Sequence, residues 1–125
     1  MGLNLLREYV AERYGQEITE VPGGFATYGL QQLDGENILF VQDFYVQPKH
    51  RGHHNSSARQ LFNRLKGIVK EEGWKGIGGM VQLDAFNGNK MLKLFLNLGF
   101  IALRGDNTSI LIYYKVDDGS KNRRS

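Results

Sequence analysis

The chain has 125 residues, of which 41% are hydrophobic, with no cysteine, two prolines, 16 glycines and a formal net charge of +3. That length and apolar share allow one domain with a modest core, and the missing cysteines exclude disulfides and thiolate metal sites and fit a reducing, cytoplasmic setting. No run approaches the ~18 apolar residues of a membrane helix, the first residues show no signal-peptide pattern, and with Lys121, Arg123 and Arg124 carrying much of the net charge, no basic face marks a nucleic-acid-binding domain.

In chain order, Leu3, Leu6, Val10 and Tyr14 share one face of a predicted helix over 3–14, with Gly15 as its stop. Ile18–Val21 and Phe25–Gln31 read as strands around the turn Pro22-Gly23-Gly24. Asp34-Gly35 is a hairpin signal leading into the apolar run 38–46, rich in β-branched and aromatic residues and so a buried central strand. Ala58, Leu61, Phe62, Leu65, Ile68 and Val69 recur at spacings of three and four, which predicts a helix from about 56 to 72, closed by Gly73. A strand over 77–84 follows, with Gly78 and Gly79 inside it suggesting that something approaches its backbone closely.

Met91, Leu94, Phe95 and Leu98 predict a second core helix over 90–98, and 100–103 with 109–114 read as closing strands around Gly105-Asp106-Asn107. The polar stretch 117–125 reads as a disordered tail beyond a single domain at 1–116. The order α-β-β-β-α-β-α-β-β is that of a mixed α/β sheet with helices on its faces. A strand–helix–strand crossover at 38–84 implies parallel pairing, with a V-shaped opening beside the helix start if the second strand splays away.

Between the strand at 38–46 and its following helix lies Gln47-Pro48-Lys49-His50-Arg51-Gly52-His53-His54-Asn55-Ser56-Ser57. A helix start exposes unpaired N–H groups and partial positive charge, which suits a phosphate, and Lys49 and Arg51 add full charges. The same residues also read as an ordinary loop with Asn55, Ser56 or Ser57 as helix cap. His53 and His54 can bind phosphate when protonated; adjacent histidines without acidic or cysteine partners make a poor metal site, and no metal is expected.

A strand ending in Val46-x-Pro48, then Arg51-Gly52, then a helix resembles the acetyl-CoA loop of the GNAT N-acetyltransferases. The family pattern is Arg/Gln-x-x-Gly-x-Gly/Ala; here Arg51 matches, His54 stands at the first glycine and Ser56 at the Gly/Ala position. Asn87-Gly88-Asn89, followed by Phe95-Leu96-Asn97-Leu98-Gly99-Phe100, resembles the family's Asn-containing helix entry and Tyr-x-x-x-Gly-Phe, with Phe95 in place of the tyrosine. The resemblance spans residues 37–115.

It implies a single-domain GNAT-like fold lacking the usual first strand and helix. It also implies an N-acetyltransferase that moves an acetyl group from acetyl-CoA, as co-substrate, to an amine. Cofactor-binding positions would be Tyr45, Val46, Arg51, Gly52, His53, His54, Asn55, Ser56 and Asn89, with an N–H at Tyr45 or Val46 polarising the thioester. For the base, Asp43 and Asp84 are the acids near the presumed cleft; for the acid, Tyr114, with Tyr113 and Tyr28 beside it, stands in for Phe95, which has no proton to give. The partners expected are acetyl-CoA and an amine, with no membrane or nucleic acid. The alternative is a catalytically silent GNAT-fold structural or binding protein, such as a phage virion component, which His54 and Phe95 would suit.

Overall fold

The computed structural model describes residues 16–47, 57–83 and 88–116, with helical backbone at Leu5, Glu8, Ala11 and Glu12 inside the expected first helix. Arg51, Gly52, His53, His54, Asn55 and Ser56 of the loop, Asp84, Asn87 and the tail 117–125 lie outside the described residues. Six strands form one sheet in the order β1-β2-β3-β4-β6-β5. They are β1 (Glu17–Val21), β2 (Gly24–Leu33), β3 (Glu36–Val46), β4 (Gly76–Gln82), β5 (Ile101–Gly105) and β6 (Ser109–Lys115). Helix α1 (Ser57–Glu72) joins β3 to β4, and α2 (Gly88–Leu98) joins β4 to β5. The mixed α/β order expected from the sequence is therefore present, with β3 inside the sheet.

Local chemistry accounts for the punctuation. Asp34 and Gly35 both take positive φ, 51° and 83°, the conformation a two-residue type I′ hairpin requires. Each helix ends in a Schellman motif. In α1, Gly73 has φ 75°, its N–H donates to the Lys70 carbonyl and the Trp74 N–H donates to that of Val69.

In α2, Gly99 has φ 110°; the Gly99 N–H donates to Leu96 and the Phe100 N–H to Phe95. Such a motif favours an apolar contact between the residue after the glycine and the helix residue five before it. Phe100 and Phe95 provide that contact, edge to face with ring centroids 5.2 Å apart. The spacing Phe95-x-x-x-Gly99-Phe100 is thus a helix-stop device that also packs the core.

Helices α1 and α2 lie on one face of the sheet. The core there joins Leu39, Ile77 and Ile112 from adjacent strands to Leu61, Phe62, Leu65 and Val69 of α1 and Phe95 of α2. Strand alternation turns Ile18, Thr27, Ile38 and Leu111 to the other face, where all four are also buried.

Candidate functional site

β3 runs beside β2 along its whole length, but pairs with β4 only at Leu39↔Ile77, Phe40↔Gly78 and Val41↔Gly79. The break has a visible cause. On the β2 side, Tyr28 faces Val41 whereas Thr27 faces Asp43, so Gln42 is an extra residue in β3. A bulge of this kind bends its strand and re-aims the residues beyond it. Past Val41 the two parallel strands diverge, each continuing, to Val46 and to Gln82. The V-shaped opening expected from the crossover is this gap, and among the described residues no strand pairs with the β3 edge from Gln42 to Phe44 on the β4 side.

A cavity of about 150 Å³ occupies the gap. Its walls are Val41, Gln42 and Phe44 of β3, the segment Gly78–Gln82 of β4, Phe62 and Leu65 of α1, and Gly88, Met91 and Phe95 of α2. Phe100 and Ile112 complete it. Among the described lining residues, Gln42 and Gln82 alone carry polar side chains and none is ionisable. The gap is an apolar slot with a peptide edge along one side. It can bury a slender chain and present N–H groups to a carbonyl, but its described lining holds no acid or base side chain.

The two glycines of β4 have different explanations. A Cβ on Gly78 would stand 2.9 Å from Ile38 Cδ1, so its smallness serves packing on the face opposite α1 and α2. A Cβ on Gly79 would meet only Val41, at 3.6 Å or more, so space is left open beside the cavity. Gly88 is required for a third reason, because a Cβ there would collide with the Gln82 carbonyl and the Leu83 backbone.

The loop 48–56 leaves and returns at one place. The Gln47 N–H donates to the Gly23 carbonyl at 2.7 Å, and the Ser57 hydroxyl donates to the Pro22 carbonyl at 2.5 Å. Both anchors lie on the β1–β2 turn, which therefore fixes the start of α1 beside the end of β3. Ser57, read from sequence as a helix-cap candidate, directs its proton to this tie.

Of the residues singled out in the sequence, Asp43 is exposed on the face opposite α1 and α2, where the Thr27 hydroxyl donates to its Oδ2 at 2.8 Å. Tyr45 lies on that face too, 43% exposed, its ring 5.8 Å from that of Phe25. Val46 is buried in the helix-side core. Asn89 is exposed in the first turn of α2, and its neighbour Gly88, not Asn89, meets the cavity.

Tyr114 packs edge to face with Phe62 at 4.8 Å and beside Phe100 at 5.6 Å, and is not among the residues lining the gap. Tyr28 packs against the same helix-side core. Tyr113 turns to the opposite face, where burial pushes its phenol above its ordinary value and the Glu36 carboxylate adds to the effect, making it a weaker acid. Phe95 does line the gap, 7% exposed, with its ring 5.0 Å from Phe44. Sequence reasoning missed Phe44, Met91 and the bulge at Gln42, although the paired glycines marked the correct strand.

No family model matches the chain, and no curated protein matches it. Solved structures do. NAA60 of Arabidopsis thaliana, in complex with a bisubstrate analogue, superposes over 94% of both chains with a TM-score of 0.62 at 14% identity. A structure of the NatC complex bound to Gag peptide and CoA matches over 90% of this chain and 79% of its own, with a TM-score of 0.64 at 13% identity. A protein from Desulfovibrio desulfuricans assigned to the GNAT acetyltransferases matches over 91% of this chain and 78% of its own, with a TM-score of 0.68 at 18% identity. The chain has the GNAT fold.

Proposed function

We propose that this protein is an N-acetyltransferase that uses acetyl-CoA as co-substrate and an amine as acceptor. The observation that carries the reading is the parting of β3 from β4 after Val41 and Gly79, with an apolar cavity in the gap. The neighbours support it, since NAA60 has been solved with acetyl-CoA and the NatC complex with CoA. They also favour a transferase over a catalytically silent structural component.

In this reading the pantetheine arm lies in the gap against Phe44, Gly79 and Met91. Backbone N–H groups on the open β3 edge stabilise the negative oxygen that forms as the amine attacks the thioester carbon. The C–N bond forms, the C–S bond breaks, and the amine gives up one proton. Asp43, beside the gap on the open face, takes that proton. The leaving thiolate is protonated from water, because the described lining offers no phenol and Phe95 has no proton to give. Arg51, Gly52, His53, His54, Asn55 and Ser56, with the start of α1, hold the pyrophosphate, for which a helix N-terminus is suited.

The test is binding first and turnover second. At a hundred times its dissociation constant, acetyl-CoA should stabilise the fold by about 2.7 kcal/mol. Arg51→Ala should weaken that effect while leaving the unliganded melting temperature unchanged. Absence of any thermal shift at millimolar CoA would overturn the proposal.

A further inference from the structure

The charges of the chain are not spread evenly. Residues 16–47, which form β1, β2 and β3, contain Glu17, Glu20, Asp34, Glu36 and Asp43 and no lysine or arginine. A segment of formal charge −5 thus sits in a chain of +3, so the remainder is +8. A surface with one sign of charge concentrates ligands of the other.

Two of these acids face the same way. Register pairs Glu20 with Phe25 and Phe25 with Tyr45 in one row, and Ile18 with Thr27 and Thr27 with Asp43 in the next. All six point to the face opposite α1 and α2, because the alternate residues Val21, Ala26 and Phe44 pack into the core beneath those helices. Glu20 and Asp43 are therefore at opposite corners of a patch three strands wide and two rows long. Strand spacings put their Cα atoms ~12 Å apart. Between them lie the Phe25 and Tyr45 rings, 5.8 Å apart. A hollow of about 290 Å³ opens beside Glu20, Phe25 and Tyr45.

We infer that this patch is the acceptor site and that the acceptor is a diamine. The inference rests on the transferase reading and gives it a substrate class. The reacting amine lies at Asp43, next to the gap, and loses its proton there. The second amine stays charged and pairs with Glu20, and the chain between them crosses Phe25 and Tyr45. Aromatic faces attract an ammonium group as well as apolar carbon, which neither an anionic nor a neutral acceptor would exploit. The hollow thus selects for the charge that does not react.

The probes are 1,5-diaminopentane and pentylamine, equal in carbon count and differing by one charge. Binding is followed by amide chemical shifts on the full chain without acetyl-CoA, so the result does not depend on catalysis. The diamine should bind more tightly, by up to about fivefold, the scale of one exposed ion pair, and perturb residues 18–27 and 43–47. Glu20→Gln should erase the difference between the probes while leaving the melting temperature and the acetyl-CoA thermal shift unchanged. Equal binding of the two amines, or a Glu20→Gln variant that still discriminates, overturns the inference even where acetyl-CoA binds. Diamine selectivity with no CoA binding would instead sustain the patch as a cation site and overturn the transferase reading.

Discussion

Gly79→Ala separates two roles that a strand glycine can have. A glycine in a strand interior weakens the fold through the freedom it has when unfolded, so alanine at a position that accepts a Cβ should stabilise by ~0.4–1 kcal/mol. Gly79 accepts one, since the nearest atoms to its Cβ position are the Val41 oxygen at 3.6 Å and the Val41 Cβ at 3.9 Å, ordinary contacts. Nor does it have the positive φ that would strain an alanine. For a domain of this size the gain is ~2–4 °C in melting temperature. The same methyl, however, stands at the wall of the cavity between β3 and β4.

A ligand threaded through that gap would meet the cost of overpacking, ~1–3 kcal/mol, or roughly 5- to 150-fold in affinity. The expected outcome is a protein that melts higher and binds acetyl-CoA less tightly, read by differential scanning calorimetry and by titration. Lower stability would mean that Gly79 is a packing glycine. Unchanged affinity would mean that the ligand does not run through the gap.

The geometry sets three further outcomes. Gly76→Ala should unfold the protein or lower its denaturation midpoint severely, because a Cβ there meets the Tyr113 ring and the Tyr114 carbonyl; a near-neutral midpoint would contradict the packing of β4 on β6. Ser57→Ala should cost ~1–3 kcal/mol in urea unfolding by leaving the Pro22 carbonyl without its donor, and should raise the dissociation constant for acetyl-CoA by loosening the anchor of the 48–56 loop; loss of stability without loss of affinity would refute the anchoring role. Asp106 is held below its ordinary value of 3.8, chiefly by the Thr108 N–H and next by the Ser109 N–H. A carboxyl lowered in the folded state stabilises above the unfolded value and ceases to do so as pH falls through the folded one. The melting difference between wild type and Asp106→Ala should therefore be present at pH 7 and shrink below pH 3.8, and a difference constant with pH would refute the contacts.

Much of the fold was legible because local and global signals agree. Asp34-Gly35 specifies a turn whatever surrounds it, and the α1 periodicity matches the residues buried against β3 and β4. Phe95-x-x-x-Gly99-Phe100 was readable as a family resemblance, but its physical content, a helix stop with its own ring contact, needed the hydrogen bonds. The site was harder to read because it depends on a one-residue slip. Without the bulge at Gln42, alternation from Val41 would place Asp43 on the helix side, toward the gap. With it, Phe44 takes the helix side and Asp43 the opposite face. Nothing in Val41-Gln42-Asp43 marks the bulge, since glutamine has no special backbone preference. Tyr114 illustrates the converse, since a tyrosine on a strand beside the cleft satisfies any sequence criterion for an acid, yet its ring is enclosed by Phe62 and Phe100.

Phe95→Tyr tests whether the cavity is as poor in protons as its lining indicates. The Phe95 ring is held on two sides, by Phe44 at 5.0 Å and Phe100 at 5.2 Å, so a tyrosine there keeps the ring in place and adds one hydroxyl to an apolar wall. Without a ligand the two rings packed against it, Phe44 and Phe100, offer that hydroxyl no hydrogen bond, and burying it without one costs ~1–3 kcal/mol. With CoA bound, the thiol sulfur would lie in the same slot and could accept its proton. The variant should therefore melt below wild type alone and recover more stability than wild type when CoA is added. Its kcat should rise, by as much as ~100-fold if proton delivery to the thiolate limits turnover, and the rate should fall above pH ~10 as the new phenol ionises. A kcat equal to or below that of wild type, with the thermal recovery absent, would show that the leaving group does not depart past Phe95. The transferase reading would then need a different route for its substrate.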